Sequence, residues 1–219
     1  MMDTPESRIV KFKSRNHADV VPIKTVPGHF ATSHSHTNFY IDLTTLKARQ
    51  KEAAQCAKAL AGEYLKNNMI IDTIVCLDGT DVIGAFLAEE LTEAGVRSSN
   101  AHQTIYVIHP EQIARKQFLF RENMESMLRG KNVLLLMASI TTGTSIHSGT
   151  DCIRRNGGLT QGIAAIFSAL PELDGLKINA VFDTEDIKGY ASYSRKRCPF
   201  CEKGIPVEAL VNAYGYTKL

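Results

Sequence analysis

Residues 131–158 read KNVLLLMASITTGTSIHSGTDCIRRNGG, and this stretch decides the fold class. Residues 133–137 form an unbroken apolar run of strand length, and Ile146, Gly149 and Ile153 then recur at helical intervals before Asn156-Gly157-Gly158 closes the pattern. The spacing predicts strand, tight loop and helix. The loop is Thr141-Thr142-Gly143-Thr144-Ser145, a row of small hydroxyl side chains around a glycine, at the point where the first N–H groups of a helix have no intrahelical acceptor. Such a nest suits a phosphate: backbone donors and the positive helix end attract the anion, glycine permits close approach, and hydroxyls add donors. The plainer alternative is an ordinary strand-to-helix turn with Thr or Ser as N-cap.

Working outward, the same grammar recurs. Residues 70–77 are a β-branched, buried-strand run, Asp78-Gly79-Thr80-Asp81 is a turn, and a helix is expected over residues 82–94, stopped by Gly95. Before it, Leu46, Ala53, Ala57, Leu60, Ala61, Tyr64 and Leu65 mark an amphipathic helix over 45–67. Further strands are expected at 104–108, 162–167 and 178–182. Strands alternating with helices predict an α/β domain with a mostly parallel sheet. Residues 109–130 carry Arg115, Lys116, Arg121 and Arg129. They read equally as a cation-bearing loop over an anionic site or as an amphipathic helix sharing Ile113, Gln117 and Phe120 on one face.

The chain of 219 residues, 44% hydrophobic and 22% charged, supports one sizeable core. A formal charge of +2 gives no reason to expect nucleic acid or an anionic membrane as partner. With no apolar signal core near the start and no run of the ~20 apolar residues needed for a membrane span, a cytoplasmic protein is expected. Five cysteines, three of them within apolar or helical patterns, read as reduced thiols.

Residues 1–22 are polar and weakly patterned, and 28–43 read as a polar loop feeding a short strand. That loop holds His29, His34 and His36. No nearby Cys or Glu completes a metal ligand set, so hydrogen bonding to substrate or solvent is the preferred reading of these histidines. Cys198 and Cys201, in CPFC, have the spacing of half a zinc site. Zn²⁺ completed by distant histidines or by a second subunit, a redox pair, and two thiols in a metal-free turn are the three readings. The last is preferred, because no second half is visible in the sequence.

Taken together, TTGTS after an apolar strand, the Asp78 to Asp81 turn after an earlier one, and GHFATSHSHTNFYIDLT at 28–44 resemble the type I phosphoribosyltransferases and, within them, the orotate phosphoribosyltransferase family. The order and approximate spacing of these blocks match over about residues 25–170, and CPFCEKGIP is similar to a C-terminal segment of some members. The resemblance implies a central parallel sheet flanked by helices, with 45–183 as core, 1–44 as an N-terminal hood segment and 184–219 as a tail joining it.

It further implies transfer of a phosphoribosyl group from phosphoribosyl pyrophosphate (PRPP) to orotate or a related pyrimidine, releasing pyrophosphate with Mg²⁺ in attendance, in a homodimer. By position, Thr141, Thr142, Gly143, Thr144 and Ser145 would hold the 5-phosphate. Asp78, Gly79, Thr80 and Asp81 would form the pyrophosphate loop. Phe39 and Tyr40 would face the base, and Arg115, Lys116 and Arg121 would belong to the closing catalytic loop. The family usually carries two acids just before the phosphate loop; this chain has Met137 and Ala138. It also has Phe167-Ser168-Ala169 where an Asp-Arg pair is usual, and no His-Gly element in the mobile loop. A non-catalytic nucleotide- or phosphoribosyl-binding protein is therefore the alternative, with a phosphosugar hydrolase as a third reading.

Overall fold

The computed structural model describes residues 5–93, 98–101, 104–113 and 117–219. After a 3₁₀ turn at Pro5–Arg8 the elements run β1 (Val10–Phe12), β2 (Ile23–Ala31), β3 (Ser35–Asp42), α1 (Thr44–Ala48), α2 (Gln50–Lys66), β4 (Thr73–Cys76), α3 (Asp81–Glu93), β5 (Tyr106–Ile108), β6 (Glu111–Gln112) and β7 (Phe118–Leu119). Next come a 3₁₀ turn at Glu122–Met127, β8 (Asn132–Ile140), α4 (Thr144–Arg155), β9 (Leu159–Ser168), β10 (Glu172–Leu173), β11 (Leu176–Asp183), β12 (Ser192–Ser194), α5 (Pro199–Glu202), β13 (Ala209–Asn212) and β14 (Gly215–Lys218). The end of α3 at Ala94 and Gly95 lies outside the described residues.

The core sheet has the order β10-β11-β9-β8-β4-β5, parallel except for the short edge strand β10. Its strands are apolar on both faces, as a sheet covered by helices on both sides requires. Strand β8 shows how the chain sorts its residues: Leu134, Leu136 and Ala138 pack with α2 and α3, while Val133, Leu135 and Met137 pack with α4. This α/β architecture, a parallel sheet between helices, is the one expected from the sequence.

A second sheet of order β12-β3-β2-β13-β14, with β1 also on β2, caps the first. Residues 28–43 are thus not a loop leading to a strand; they belong to a long hairpin of β2 and β3. The turn is held by Thr32, whose hydroxyl accepts from the N–H of His34 (3.2 Å) and Ser35 (2.9 Å). A register shift between Pro27 and Phe30 absorbs the Pro-Gly pair. Polar residues at 32–37 hide the strand periodicity from a reader of the sequence.

Two further expectations change. The helix over 45–67 is two helices, separated by the extended backbone of Arg49 (φ −88°, ψ 122°). The described residues of segment 109–130 do not form a helix across the sheet: they hold the paired short strands β6 and β7 and a 3₁₀ turn, with Ile113 N–H donating to Gln117 O (2.9 Å). Pro110, lacking an N–H and forcing its predecessor out of helical geometry, explains why no helix starts there. Among the described residues no helix is long and apolar enough to cross a membrane.

Candidate functional site

Strands β4 and β8 are neighbours, but the chain leaves β4 toward β5 on one side and returns to β8 on the other. Their carboxyl ends therefore diverge at a topological switch point, where open α/β sheets form a crevice. A cavity of about 820 Å³ occupies this place, floored by the two loops and roofed by the second sheet.

On the β8 side, Thr141, Thr142, Gly143, Thr144 and Ser145 all line the cavity. Gly143 is the N-cap of α4 with left-handed backbone (φ 80°), and no side chain caps the helix. The first N–H groups of a twelve-residue helix with no acid in its first turn are thus presented at the cavity wall. A Cβ at Gly143 would lie 2.8 Å from Leu173 Cδ2. The glycine is needed for its backbone angle and for packing under the loop, not to leave space on the anion side.

On the β4 side, Asp78 (φ 60°) and Gly79 (φ 74°) are consecutive left-handed residues, which throw the loop outward before α3 begins at Asp81. Asp78, Gly79 and Asp81 line the cavity. Thr80, grouped with them in the sequence, turns inward: it is fully buried and its hydroxyl donates to Leu77 O (2.8 Å). The loop is braced by Lys47, absent from the sequence reading because a lysine in a helix ordinarily faces solvent. Its ammonium donates to Asp78 O (2.8 Å) and Ala213 O (2.7 Å) and lies 5.2 Å from the Tyr214 ring centre. Burial is the main reason the Lys47 pKa is lowered, partly opposed by Asp78 and Asp42. His109 Nδ1 meets Asp81 Oδ1 at 2.7 Å on the cavity rim.

The roof comes from the β2–β3 turn (Thr32, Ser33, His34), the β13–β14 hairpin, and Arg195, whose guanidinium donates to Thr32 O (3.0 Å) and Ser33 O (2.9 Å). Phe39 and Tyr40 both lie on the cavity wall. Phe39 packs edge-on to Phe12, and Tyr40, wedged between Phe30 and Tyr216, has its hydroxyl pushed up to about 12 chiefly by burial. Tyr190 and Phe167, packed edge to face, also line the cavity.

Met137 lines the cavity at 1% exposure, whereas Ala138 points away from it into the α2–α3 core at 0%. Among the described lining residues the carboxylates are Asp78 and Asp81, and the basic groups are His34, His109 and Arg195. Arg121 does not reach the cavity. Its guanidinium is held by Glu111 (3.0 and 2.6 Å) across the β6–β7 pair, which keeps the Glu111 carboxyl below its ordinary value. Arg115 and Lys116 lie outside the described residues. Cys198 and Cys201 are also off the cavity, but they are not a solitary pair: with His29 and His36 their ligand atoms all lie within 4.8 Å of one another. The partners were missed because strand pairing, not sequence spacing, delivers both histidines.

No family model matches the chain. An orotate phosphoribosyltransferase of Wolinella succinogenes is 31% identical over 191 residues, 81% of this chain and 86% of that one. A second, from Pelotomaculum thermopropionicum, is 27% identical over 184 residues, 82% of this chain and 86% of the relative. Among solved structures, Mycobacterium tuberculosis H37Rv orotate phosphoribosyltransferase, in complex with Fe(III) dicitrate, superposes with a TM-score of 0.52 at 15% identity over 75% of this chain and 91% of that one. Leishmania donovani UMP synthase gives 0.54 at 16% identity over 74% of this chain and 34% of that one. These structures share the fold. The chain belongs to the type I phosphoribosyltransferase family, as a divergent member of the orotate phosphoribosyltransferase kind.

Proposed function

We propose that the cavity binds PRPP and transfers its phosphoribosyl group to a pyrimidine base of the orotate class, releasing pyrophosphate. The observation that carries this reading is the uncapped start of α4, with Gly143 left-handed and four hydroxyl residues around it, opening into the same cavity as the Asp78-Gly79 turn. One loop suits a singly phosphorylated end and the other a second anionic group across the crevice. In the reaction the C1–O bond to pyrophosphate breaks as a base nitrogen bonds to C1. The charge that develops is oxocarbenium-like, so orientation and electrostatics contribute most of the catalysis.

In this reading α4's N–H groups and Thr141 to Ser145 fix the 5-phosphate, and the Asp78-Gly79 backbone faces the leaving group. Phe39 and Tyr40 flank the base. Mg²⁺ binds through one or two carboxylates together with substrate phosphates, and Asp78 and Asp81 supply that number of hard oxygen donors beside the loop. When bound there it would neutralise the departing pyrophosphate. Lys47 positions rather than reacts, since two of its three protons are committed to Asp78 O and Ala213 O and it is not among the cavity-lining residues. A homodimer belongs to the same proposal and is tested by light scattering.

The second reading, a protein that binds nucleotides or phosphoribosyl ligands without turning them over, is favoured by Met137 and Ala138. Neither accepts the charge-assisted hydrogen bonds that two acids would offer the ribose hydroxyls. A pyrophosphate-release assay over a panel of purine and pyrimidine bases with Mg²⁺ separates the two. Release with orotate or a near relative supports the transferase. Tight PRPP binding without release from any base supports the sensor.

A further inference from the structure

We propose that His29, His36, Cys198 and Cys201 form a structural zinc site that clamps the C-terminal tail to the roof of the cavity. Among the described residues these four make the one group of three or more potential ligands converging on a point. His29 Nε2 lies 2.9 Å from His36 Nδ1, 3.4 Å from Cys198 Sγ and 3.7 Å from Cys201 Sγ, and Cys201 Sγ lies 3.3 Å from His36 Nδ1. A tetrahedron with Zn–N of about 2.0–2.1 Å and Zn–S of about 2.3 Å has edges of roughly 3.3–3.8 Å, so small adjustments of the side chains admit the ion. Two sulfurs and two imidazoles are a donor set for zinc rather than for a hard cation such as Mg²⁺. The two thiolates balance the dication, which makes the occupied site neutral and suited to burial. His29, Cys198 and His36 are 1%, 1% and 9% exposed.

The surroundings orient the ligands. His29 Nδ1 lies 2.8 Å from Ile205 O and 3.2 Å from Pro206 O. A carbonyl only accepts, so Nδ1 carries the proton and Nε2 turns its lone pair toward the cluster, the orientation that ligating histidines obtain from an outer partner. Phe200, between the two cysteines, stacks on the His29 ring at 5.2 Å and 20°. Cys198 caps α5 and Cys201 lies within it, the tight knuckle that brings two sulfurs to one metal. All five cysteines are free thiols. On binding, both thiols lose a proton, and His36, whose Nδ1 donates to His29 Nε2 in the metal-free chain, moves its proton to Nε2 so that Nδ1 can offer its lone pair.

Four protein ligands leave no open position, so the role is structural. The ligands come from the β2–β3 hairpin and the α5 knuckle, two pieces far apart in sequence. Thr32, Ser33 and His34 lie between the two histidines, and Arg195, three residues before Cys198, grips the same turn while lining the cavity. The metal would therefore fix the roof. This inference stands apart from the PRPP reading, since a zinc clamp could roof a cavity for any ligand.

The test is elemental analysis and zinc-edge X-ray absorption on the full chain purified without chelator, followed by replacement with Co²⁺. One zinc per chain with two sulfur and two nitrogen neighbours, and a cobalt form showing thiolate charge transfer, are expected. Cys201→Ser, at the one exposed ligand, should weaken metal binding by at least about 100-fold. Should that variant not fold, the absorption measurement on the unaltered chain still decides. A chain isolated without metal that takes up neither Zn²⁺ nor Co²⁺, a shell of nitrogen and oxygen alone, or a Cys198–Cys201 disulfide in the purified protein would overturn the proposal.

Discussion

Replacing Ala138 and Met137 by aspartate, one at a time, probes the absence of the family's acid pair and the register of β8 together. Ala138 is fully buried among apolar residues of α2 and α3. Ala138→Asp places an unpaired carboxylate there, which costs several kcal/mol in desolvation, and the added atoms cost about 1–3 kcal/mol more in overpacking. Against a total stability of about 5–15 kcal/mol this is most of the margin. Met137→Asp forfeits about 2–3 kcal/mol of apolar burial, but its carboxylate opens on the cavity. For a chain of this size that corresponds to a fall in Tm of roughly 4–12 °C. In return it offers one charge-assisted hydrogen bond to a ribose hydroxyl, about 1.5–3 kcal/mol or roughly a 10–10²-fold gain in affinity for Mg²⁺-PRPP. Thermal denaturation by circular dichroism and calorimetric titration read both effects. An Ala138→Asp protein that melts at the wild-type temperature would refute the placement of that residue, and equal destabilisation by the two substitutions would refute the two-faced reading of β8.

Other outcomes follow from individual contacts. Gly143→Val should lose at least tenfold in affinity for ribose 5-phosphate and about 2–3 kcal/mol in stability, from a left-handed angle costing about 1–2 kcal/mol and the contact with Leu173; titration and chemical denaturation check it. Asp81→Asn should reduce the Mg²⁺-dependent part of PRPP affinity about tenfold while leaving Tm within about 2 °C, because Asp81 is half-exposed; titrations with and without Mg²⁺ decide. Lys47→Met should cost about 2–4 kcal/mol by stranding two carbonyls and should loosen both the Asp78 loop and the β13–β14 hairpin, seen as faster amide exchange in the two segments.

The loops that bracket the cavity could be read from sequence because each follows an apolar run of strand length and precedes a helical period. Local chemistry sufficed for Gly143 and Gly79. The roof was not legible. Its strands carry histidines and hydroxyls whose burial depends on pairing with β12 and β13, more than a hundred residues away, so His29 and His36 looked like loop residues. Lys47 was lost for a similar reason: its partners, Asp78 O and Ala213 O, are backbone atoms that no residue pattern announces. Arg121 carried a charge in the right region, yet Glu111, placed opposite by the β6–β7 pair, takes it. The unbroken apolar run of β8 was visible, but which face met the cavity depended on the helices packed against it.

The central claim is that the α4 N-terminus and the Asp78-Gly79 turn together bind a phosphorylated ribose. Calorimetric titration of the full chain with PRPP, ribose 5-phosphate and nucleoside monophosphates, in parallel with Gly143→Val, tests it most directly. The account predicts saturable binding at one site per chain, tightest for PRPP with Mg²⁺, displaced by the monophosphates and weakened at least tenfold in the variant. Failure of every 5-phosphorylated ribose to bind, or binding that Gly143→Val leaves unchanged, would contradict it.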